Sequence, residues 1–439
     1  MSHGALAILG GAPLLSELEL RTWPRLGGDE VVAVVQVLDR GILAGDDAPV
    51  TRRLEERFAE LVGARHALLT HAGTSALHLA LIAAKTGSGD EVVLPAYGYI
   101  AGPMCVLALG AIPRFVDVDR ETGNLDPSSI DDVVNERTRA IMPMHIHGCP
   151  ADMDEILETA ARHGLVVVED AAQAHGTTYR GRSVGTLGAM AAFSLHESKA
   201  LPAGEGGLFV TDDDAMMETA LRARSLGRDL RLHEREGKPG LRVPSAPLLS
   251  VIPGHMFRGN EMMAALALSQ LPRLAARIST VQKMAELLGA ELDGLPGLRV
   301  QRVPADRTAS WYKVRLHFDV EEAGIELPPC LFRDLFVRAL EAEGVEAGSW
   351  QHVLLPGHPV FADVGGFGQR WRDRSPSDPV ALRDAARARF PNANALLESS
   401  VVLFSERRPL MAQPADTVRR VAAVVRKVWT HRHALQRLV

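Results

Sequence analysis

The sequence predicts an α/β fold in which a mostly parallel sheet carries helices on both faces, joined to a smaller α+β domain at the carboxyl end. Short apolar runs alternate with helical patterns between residues 51 and 169, as in sheets whose strands are buried on both faces. A chain of 439 residues is long for one domain, and the alternation ends near residue 240. We therefore expect a large domain at 1–272, which includes the N-terminal segment, and a small domain at 273–439.

The first predicted elements are an amphipathic helix over 51–62 and a strand over 66–70. Leu54, Phe58 and Leu61 recur at helical spacing, and glutamates fill the opposite face. Further helices are predicted at 74–85, 100–109, 127–135 and 152–163, and further strands at 91–94, 113–117, 140–144, 165–169 and 208–210. Ligands of such sheets bind beyond the carboxyl ends of the strands, so a site is expected there.

The second half of the chain has a different texture. A loop rich in Pro and Gly is predicted at 237–255, and a long helix at 260–292 is interrupted by Pro272. A strand is predicted at 312–320. Residues 362–380, which combine Gly with Arg, Asp, Ser and Pro, indicate an exposed insertion.

Composition and charge exclude several classes of function. Hydrophobic residues make up 46% of the chain and charged residues 23%, which is ordinary for a soluble globular enzyme. The formal net charge of −6 offers no basic field for nucleic acid. No apolar run approaches the ~20 residues that span a bilayer, and no signal peptide is recognised. A cytoplasmic protein without a membrane partner is therefore expected.

Metal and hydrolase sites are also disfavoured. Cys105, Cys149 and Cys330 are scattered without Cys-x-x-Cys spacing, so neither a disulfide framework nor a zinc site is indicated. His145 and His147 lie two apart at a predicted strand, where they would approach a metal only from opposite faces. We find no Gly-x-Ser-x-Gly motif of a serine hydrolase.

Polar residues follow the predicted strand ends and form a candidate site for a flat, charged ligand. Asp170 ends an apolar run, and a carboxylate is costly to bury there unless it is paired. Paired with a pyridinium nitrogen, it would keep the ring an electron sink; an acid that caps a helix is the alternative. Gln173 and His175 follow within one turn and could touch the ring hydroxyl, or could be ordinary loop residues.

A phosphate cradle is predicted at Gly73-Thr74-Ser75, where a helix follows a strand. Free N–H groups and the positive end of the helix dipole attract an anion there, although an ordinary Thr or Ser cap gives the same pattern. Ser194 is a second candidate phosphate donor, or a buried strand serine. Tyr99 is placed to stack on a flat ring, or belongs to the core.

Lys199 is the candidate for the Schiff-base amine. It follows Phe193–Ser194 and precedes Gly204-Glu205-Gly206-Gly207, which leads into an apolar strand. An amine that forms an imine and then moves protons must titrate near neutral pH, and burial or a neighbouring cation lowers its pKa. A single lysine is otherwise a surface residue. The glycine-rich tail favours the Schiff-base role, and the buried acid, the amine and the phosphate cradle together indicate a site for pyridoxal phosphate.

At this point the motifs resemble a known family. The chain looks like a fold type I pyridoxal phosphate enzyme of the DegT/StrS aminotransferase family, whose members aminate keto-sugars and keto-cyclitols. The resemblance runs from Leu9-Gly10-Gly11 to about residue 270 and continues more weakly to the end. Its ordered blocks are Thr70–Leu77, Asp90–Pro95, Phe115–Asp119, His147–Asp154, Glu169–Gly176 and Phe193–Gly207.

The resemblance implies a role for individual residues. Lys199 matches the Schiff-base lysine, and Asp170 matches the partner of the pyridine nitrogen. The positions that match other cofactor ligands are Gly73, Thr74 and Ser194 at the phosphate, Gln173 beside the ring oxygen and Tyr99 stacked on the ring. The family also implies a homodimer in which residues 255–260 cross into the neighbouring site.

Three departures from the family pattern affect the site. Met256 stands where the family has an asparagine that reaches the partner's phosphate, and Arg258 or Asn260 would have to compensate. Pro356 replaces a family histidine in the small domain. Gly98 replaces a usual threonine beside the ring. An unusual substrate or a changed reaction is consistent with these differences.

The resemblance implies a pyridoxal phosphate-dependent aminotransferase of secondary metabolism. The tail Gly204-Glu205-Gly206-Gly207 resembles the branch that makes aminocyclitols and aminohydroxybenzoate for antibiotics, which often takes L-glutamine. We expect L-glutamine or L-glutamate as the amino donor and a keto-cyclitol or keto-sugar as the acceptor. Because position 199 is Lys and not His, the sugar dehydratase branch is disfavoured.

Two alternatives stay open. One is an enzyme of the same family with a different outcome, such as dehydration or aromatisation of an aminated ring. The other is a regulatory protein that binds the cofactor without turnover, which Met256 and Pro356 keep open. Product analysis and half-reactions with amino donors separate them.

Overall fold

The structure is a computed structural model that describes residues 5–15, 20–46, 48–229, 249–361 and 378–439. The strands within these ranges are β1 His66–Thr70, β2 Glu91–Pro95, β3 Ile112–Val116, β4 Thr138–Ile141, β5 Val166–Asp170, β6 Thr178–Tyr179, β7 Arg182–Ser183, β8 Met190–Ser194, β9 Gly207–Thr211, β10 Leu298–Val300, β11 Val314–Phe318, β12 Ala347–Gly348 and β13 Ser400–Leu403.

The helices are distributed along the whole chain. Those within the described residues are α1 Gly28–Arg40, α2 Pro49–Val62, α3 Gly73–Ala83, α4 Ala101–Ala108, α5 Met153–His163, α6 Asp214–Arg224, α7 Glu261–Gln270, α8 Leu274–Leu292, α9 Pro329–Ala342, α10 Pro379–Arg389, α11 Pro391–Ser399, α12 Ala415–Thr430 and α13 Arg432–Leu435. None of them combines the length and apolar character that a membrane crossing needs.

The central sheet has the strand order β1-β9-β8-β5-β4-β2-β3 among the described residues. Neighbours from β8 to β3 are parallel, and β9 alone runs against both of its neighbours. Six strands therefore end at one edge of the sheet, and β9 begins at that edge. This geometry confirms the α/β class and brings the predicted site residues to a common edge.

Alternate residues of the strands enter two separate apolar layers. On β2, Val92 and Leu94 pack into the layer with α3 and α4, whereas Val93 packs into the opposite layer with α2 and α5. Side chains of a strand point alternately to the two faces of a sheet, and burial of both faces explains the continuous apolar runs of these strands.

A second sheet lies in the C-terminal half, with the order β10-β11-β13-β12 and antiparallel neighbours throughout. Phe318, Phe332 and Trp429 pack beside it, and the ring centroids of Phe332 and Trp429 are 5.8 Å apart. The break at Pro272 is confirmed as a short 3-10 turn, Leu271–Arg273, between α7 and α8. The expected domain boundary falls at this turn, and the division into two domains stays a prediction.

Two sequence-based elements are wrong or shifted. The helix expected at 127–135 is only the 3-10 turn Pro127–Ser129, which Asp126 caps by accepting from the Ser128 N–H. Ser, Asp, Asn and Val residues dominate that segment, and their low helix propensity does not extend the turn. The strand expected at 140–144 ends earlier, at Ile141. Pro143 follows and has no N–H to continue the ladder.

The remaining elements agree with expectation within a few residues. The predicted strand at 312–320 is β11, and the strand at 208–210 is β9. Most of the expected insertion at 362–380 and residues 237–248 of the expected loop lie outside the described residues.

Candidate active site

The candidate site forms where β1 and β8 end and β9 begins. Gly207 pairs with Thr70 on one side and with Ser194 on the other. A Cβ on Gly207 would lie 2.5 Å from the Ala72 carbonyl oxygen, and one on Gly73 would lie 2.9 Å from the Ser194 Cβ. Both positions therefore need glycine, and their absent side chains let three chain segments meet.

Helix α3 begins at Gly73 in this corner, as the sequence predicts. The first N–H groups of a helix have no partner inside it and carry the positive end of the dipole. Ser194 lies beside Gly73 and is 8% exposed, and its hydroxyl accepts from the His196 N–H at 3.3 Å. Together, the helix start and this hydroxyl form a cradle of the kind that holds a phosphate.

The two residues after Gly73 make different hydrogen bonds within the chain. The Thr74 carbonyl accepts from the Cys105 thiol at 3.3 Å. The Ser75 hydroxyl is buried and hydrogen-bonds His71 Nε2 at 3.1 Å. The Ser75 side chain therefore already has a partner within the chain.

Asp170 ends β5 and is 3% exposed. One carboxylate oxygen accepts from the Ala172 N–H at 3.1 Å. Burial raises the pKa of Asp170, while that hydrogen bond and the charges of Lys199 and His145 oppose the shift. A carboxylate in this position gains most from a cation brought beside it.

The two polar residues after Asp170 are buried. The Gln173 side-chain oxygen accepts from the His147 N–H at 2.7 Å. Burial, with the nearby Lys199 charge, lowers the pKa of His175 to about 3, so the ring is neutral. Its Nε2 atom has no hydrogen-bond partner among the residues that the structure describes. A buried nitrogen without a partner is costly and fits a group supplied by a ligand.

Lys199 lies in the loop between β8 and β9. Its N–H donates to the His196 carbonyl at 2.9 Å, and its carbonyl accepts from Trp23 Nε1 at 3.2 Å. Burial lowers the pKa of the amine to about 8, and the charges of Glu406 and Asp170 limit the shift. The neutral form of the Lys199 amine, which is the form able to act as a nucleophile, is therefore more accessible than that of an exposed lysine.

An aromatic residue that no sequence motif indicated lies beside this amine. Lys199 Nζ lies 3.8 Å from the centroid of the Tyr312 ring. The Tyr312 hydroxyl donates to Glu406 Oε1 at 2.9 Å and hydrogen-bonds Ser198 Oγ at 3.1 Å. Ser198 and Tyr312 are 114 positions apart, so no local pattern could connect them.

Of the expected cofactor ligands, Tyr99 is largely exposed, and the Arg258 side chain is bound to another residue of the chain. Tyr99 is 57% exposed and lines a small cavity together with Asp170, Gly98 and Leu355. Arg258 pairs through its backbone with Thr70 at the end of β1, but its guanidinium binds Asp46 at 2.8 Å.

The three residues that depart from the family pattern lie in ordinary structural surroundings. Met256 is 47% exposed, and Pro356 lies in the 3-10 turn Leu355–Gly357. A Cβ at Gly98 would lie 3.4 Å from both Leu355 Cδ1 and Met144 Sδ, so a threonine would fit tightly there.

The two histidines considered for a metal have other partners or surroundings. His145 Nδ1 accepts from the Ala151 N–H at 3.0 Å, and its Nε2 contacts the buried Glu169 carboxylate at 3.1 Å. His147 packs against Trp350 with ring centroids 4.7 Å apart. Among the described residues, no group of three or more His, Cys, Asp or Glu side chains is arranged to hold a metal ion.

The residues of this edge fit pyridoxal phosphate. The start of α3 and Ser194 suit the phosphate, and the buried Asp170 carboxylate suits a protonated pyridine nitrogen. Lys199 supplies an amine whose lowered pKa suits a bond to the aldehyde carbon. The unpartnered His175 nitrogen is consistent with a polar ligand in the same place.

Comparisons with known proteins agree with this arrangement. Residues 24–370 match the model of the DegT/DnrJ/EryC1/StrS aminotransferase family. Protein MosB of Rhizobium meliloti is 30% identical over 428 residues, which cover 95% of this chain and 79% of that protein.

Two solved structures are similar over nearly their full length. A 3-amino-5-hydroxybenzoic acid synthase has a TM-score of 0.79 at 29% identity, covering 96% of this chain and 100% of that chain. DesI, solved in the presence of its TDP-sugar product, has a TM-score of 0.78 at 28% identity, covering 99% and 98%. The chain therefore belongs to the DegT/DnrJ/EryC1/StrS aminotransferase family and is a pyridoxal phosphate-dependent aminotransferase.

Proposed function

We propose that this enzyme moves an amino group from L-glutamine or L-glutamate to the ketone of a cyclitol or sugar in the biosynthesis of a secondary metabolite. The observation that carries the proposal is the position of Lys199, whose amine has a pKa near 8 and lies at the same sheet edge as Asp170 and the start of α3. The 3-amino-5-hydroxybenzoic acid synthase and DesI, which was solved with its TDP-sugar product, support the substrate class through their similarity.

Each residue at the edge has a task in this proposal. Pyridoxal phosphate, when bound, supplies the electron sink for cleavage of the donor's Cα–H bond. Lys199 Nζ accepts that proton in the donor half-reaction and delivers a proton to the former ketone carbon of the acceptor in the second half-reaction. The Asp170 carboxylate holds a proton on the ring nitrogen. The residues proposed to bind and orient the cofactor are Gly73, Thr74, Ser75, Tyr99, Gln173, Ser194 and Arg258.

The acceptor is proposed to be a free cyclitol in preference to a nucleotide-linked sugar. The net charge of −6 gives no general attraction for a polyanion. Arg224 could bind a diphosphate only if its guanidinium were accessible, but it is 3% exposed and binds the Glu55 carboxylate at 2.7 Å and the Leu69 carbonyl at 3.0 Å. Its guanidinium is therefore engaged within the fold.

The test separates the donor half-reaction from the acceptor half-reaction. We expect L-glutamine or L-glutamate to convert the purified enzyme to its pyridoxamine phosphate form, with loss of the visible absorbance band. Keto-cyclitols, nucleotide-linked keto-sugars and aliphatic 2-oxo acids are then added separately. Return of the band with a free keto-cyclitol supports the proposal.

Other results of this experiment have distinct meanings. Return only with nucleotide-linked sugars would reverse the order of acceptors, and return with aliphatic 2-oxo acids alone would remove the substrate class. A dehydrated or aromatised product would identify the other family outcome. Absence of a half-reaction with every amino donor would favour a cofactor-binding regulator.

The proposal includes a homodimer with shared active sites. Helix α1 exposes an apolar stripe in which Val31, Val32 and Leu38 are 62%, 55% and 53% exposed. Leu249 and Val251, near the segment expected to cross over, are also about half exposed, at 52% and 49%. Apolar surface of this kind favours burial against another protein surface, and a second copy of the chain is the proposed partner.

Arg258→Ala should weaken cofactor retention about tenfold or more and lower activity with it. In the proposed dimer, this guanidinium replaces the donor that Met256 lacks, and a charge-assisted hydrogen bond contributes about 1.5–3 kcal/mol. Cofactor affinity is measured by titration, and the oligomeric state by light scattering. Arg65→Ala is the matched control. Arg65 also forms an ion pair, with Asp214, but it lies at the start of β1, whereas Arg258 lies at its end. A monomer with full activity would contradict the shared site.

A further inference from the structure

We propose that Tyr312 is a positioning residue whose ring face receives the Lys199 ammonium whenever that amine is not bonded to the cofactor. The inference rests on the proposed role of Lys199 and adds a resting position for it. Neither the motifs of the sequence nor the expected cofactor ligands include Tyr312.

The geometry of the contact is specific. Lys199 Nζ lies 3.8 Å from the ring centroid, well inside the ≈ 6 Å over which a cation is attracted to an aromatic face. Tyr312 is 7% exposed, so water competes little for this face. Partial desolvation strengthens such a contact.

Two hydrogen bonds to the Tyr312 hydroxyl hold the ring in its orientation. Tyr312 Oη donates to Glu406 at 2.9 Å and contacts Ser198 Oγ at 3.1 Å. Ser198 is adjacent to Lys199 and is itself bound to His196 Nδ1 at 2.8 Å. The loop that carries the amine is therefore tied to the hydroxyl of the ring that receives it.

Several charged groups surround the same position. Asp170 and Glu406 favour the ammonium, whereas Lys313 opposes it. Lys313 Nζ lies 3.9 Å from the Glu406 oxygen that accepts from Tyr312, so this carboxylate already serves two other groups. His147 and His175 also feel the Lys199 charge, and both imidazoles are neutral because burial lowers their pKa.

An aromatic face suits an amine that must leave and return. A free lysine side chain loses rotamer freedom when it is held, and a defined resting place keeps it near the reacting carbon. A carboxylate contact would hold the proton more strongly and slow its removal. A ring face stabilises the cation only moderately, so Lys199 can still lose its proton and act as a base.

The test measures the titration of Lys199 in the full-length enzyme in its pyridoxamine phosphate form, where the amine is free. Trace labelling with acetic anhydride over a range of pH, followed by mass spectrometry of the Lys199 peptide, gives the midpoint. The wild-type midpoint is expected below that of an exposed lysine, because burial lowers the pKa of Lys199. Tyr312→Phe keeps the ring face and should stay close to this value.

Tyr312→Leu removes the face and should lower the midpoint by about one pH unit, because a desolvated cation–π contact stabilises the charged form by about that much. Should Tyr312→Leu fail to fold, Tyr312→Met provides a flexible side chain of similar reach without the ring. An unchanged midpoint in either variant, or an equal shift in Tyr312→Phe, would overturn the proposal.

Two controls separate this inference from the proposed function. If borohydride reduction fixes the cofactor to Lys199 and the enzyme transaminates, but the titration midpoint of Lys199 does not change in the Tyr312 variants, only the resting position fails. If another lysine carries the cofactor, the proposed function fails first. A purely structural role for Tyr312 would lower thermal stability without the predicted shift and without rescue by Tyr312→Phe.

Discussion

Lys199→Ala is expected to abolish measurable transamination. The variant loses both the nucleophile that would bond to the cofactor and the base that moves the donor's proton. A positioned base alone contributes about 10²–10⁴ in rate. The half-reaction with L-glutamate, followed by absorbance, measures the loss. Lys283→Ala, on the exposed face of α8, is the matched control and should retain full activity.

Chemical labelling tests the same assignment without relying on activity. Borohydride reduction of the wild-type enzyme should fix the cofactor irreversibly to the peptide that contains Lys199. The rate at which cofactor-free protein takes up pyridoxal phosphate should rise with pH and level off above about 8, because only the neutral amine attacks. Reduction that labels a different lysine would show the assignment to be wrong.

Most of the fold could be predicted because the signal was local and periodic. Apolar runs separated by helical patterns gave β1, β2, β3 and β5 nearly as they occur. The helix expected at 127–135 does not form, because the Ser, Asp and Asn residues of this segment cap and turn more readily than they propagate a helix. The antiparallel direction of β9 depends on long-range pairing that no local pattern reveals.

The site was predictable where a residue follows its strand directly. Gly73, Asp170 and Ser194 lie at strand ends or one short turn beyond, so the sheet itself brings them together. Gly207 is a different case, because its need for glycine arises from the Ala72 carbonyl that packs 2.5 Å from the Cβ position. That contact joins segments that are distant in sequence.

Tyr312 and Glu406 were missed because they reach the site from the C-terminal half. Tyr312 precedes β11, and Glu406 follows β13, two neighbouring strands of the second sheet. Their side chains meet Lys199 only when the two sheets are assembled. Arg258 shows the converse limit, since the motif pattern marked it as a cofactor ligand while its guanidinium lies against Asp46.

Asp170→Asn should retain part of the bound cofactor but lose about 10²–10³ of the rate, as removal of a group that stabilises developing charge typically does. The amide cannot keep the ring nitrogen protonated, so the electron sink weakens. Single-turnover kinetics with L-glutamate measure the loss. Asp117→Asn is the matched control, because Asp117 accepts from the Asn392 and Ala393 N–H groups and supports the start of α11. It should lower stability by about 1 kcal/mol without this loss of rate.

The thermal stability of the cofactor-free protein provides a second test of Asp170. Unlike the activity, this stability should not fall when Asp170 is replaced by Asn. Burial raises the pKa of Asp170 in the folded cofactor-free protein, so the group costs nothing below the unfolded pKa, where it is protonated in both states, and destabilises the fold progressively as pH rises from the unfolded pKa to the higher folded pKa. At neutral pH, cofactor-free Asp170→Asn should therefore melt no lower than the wild type. With saturating pyridoxal phosphate, the wild type should melt at a higher temperature than Asp170→Asn, because its carboxylate pairs with the pyridinium. Full activity in Asp170→Asn, or equal cofactor-induced stabilisation of both proteins, would refute the role of Asp170.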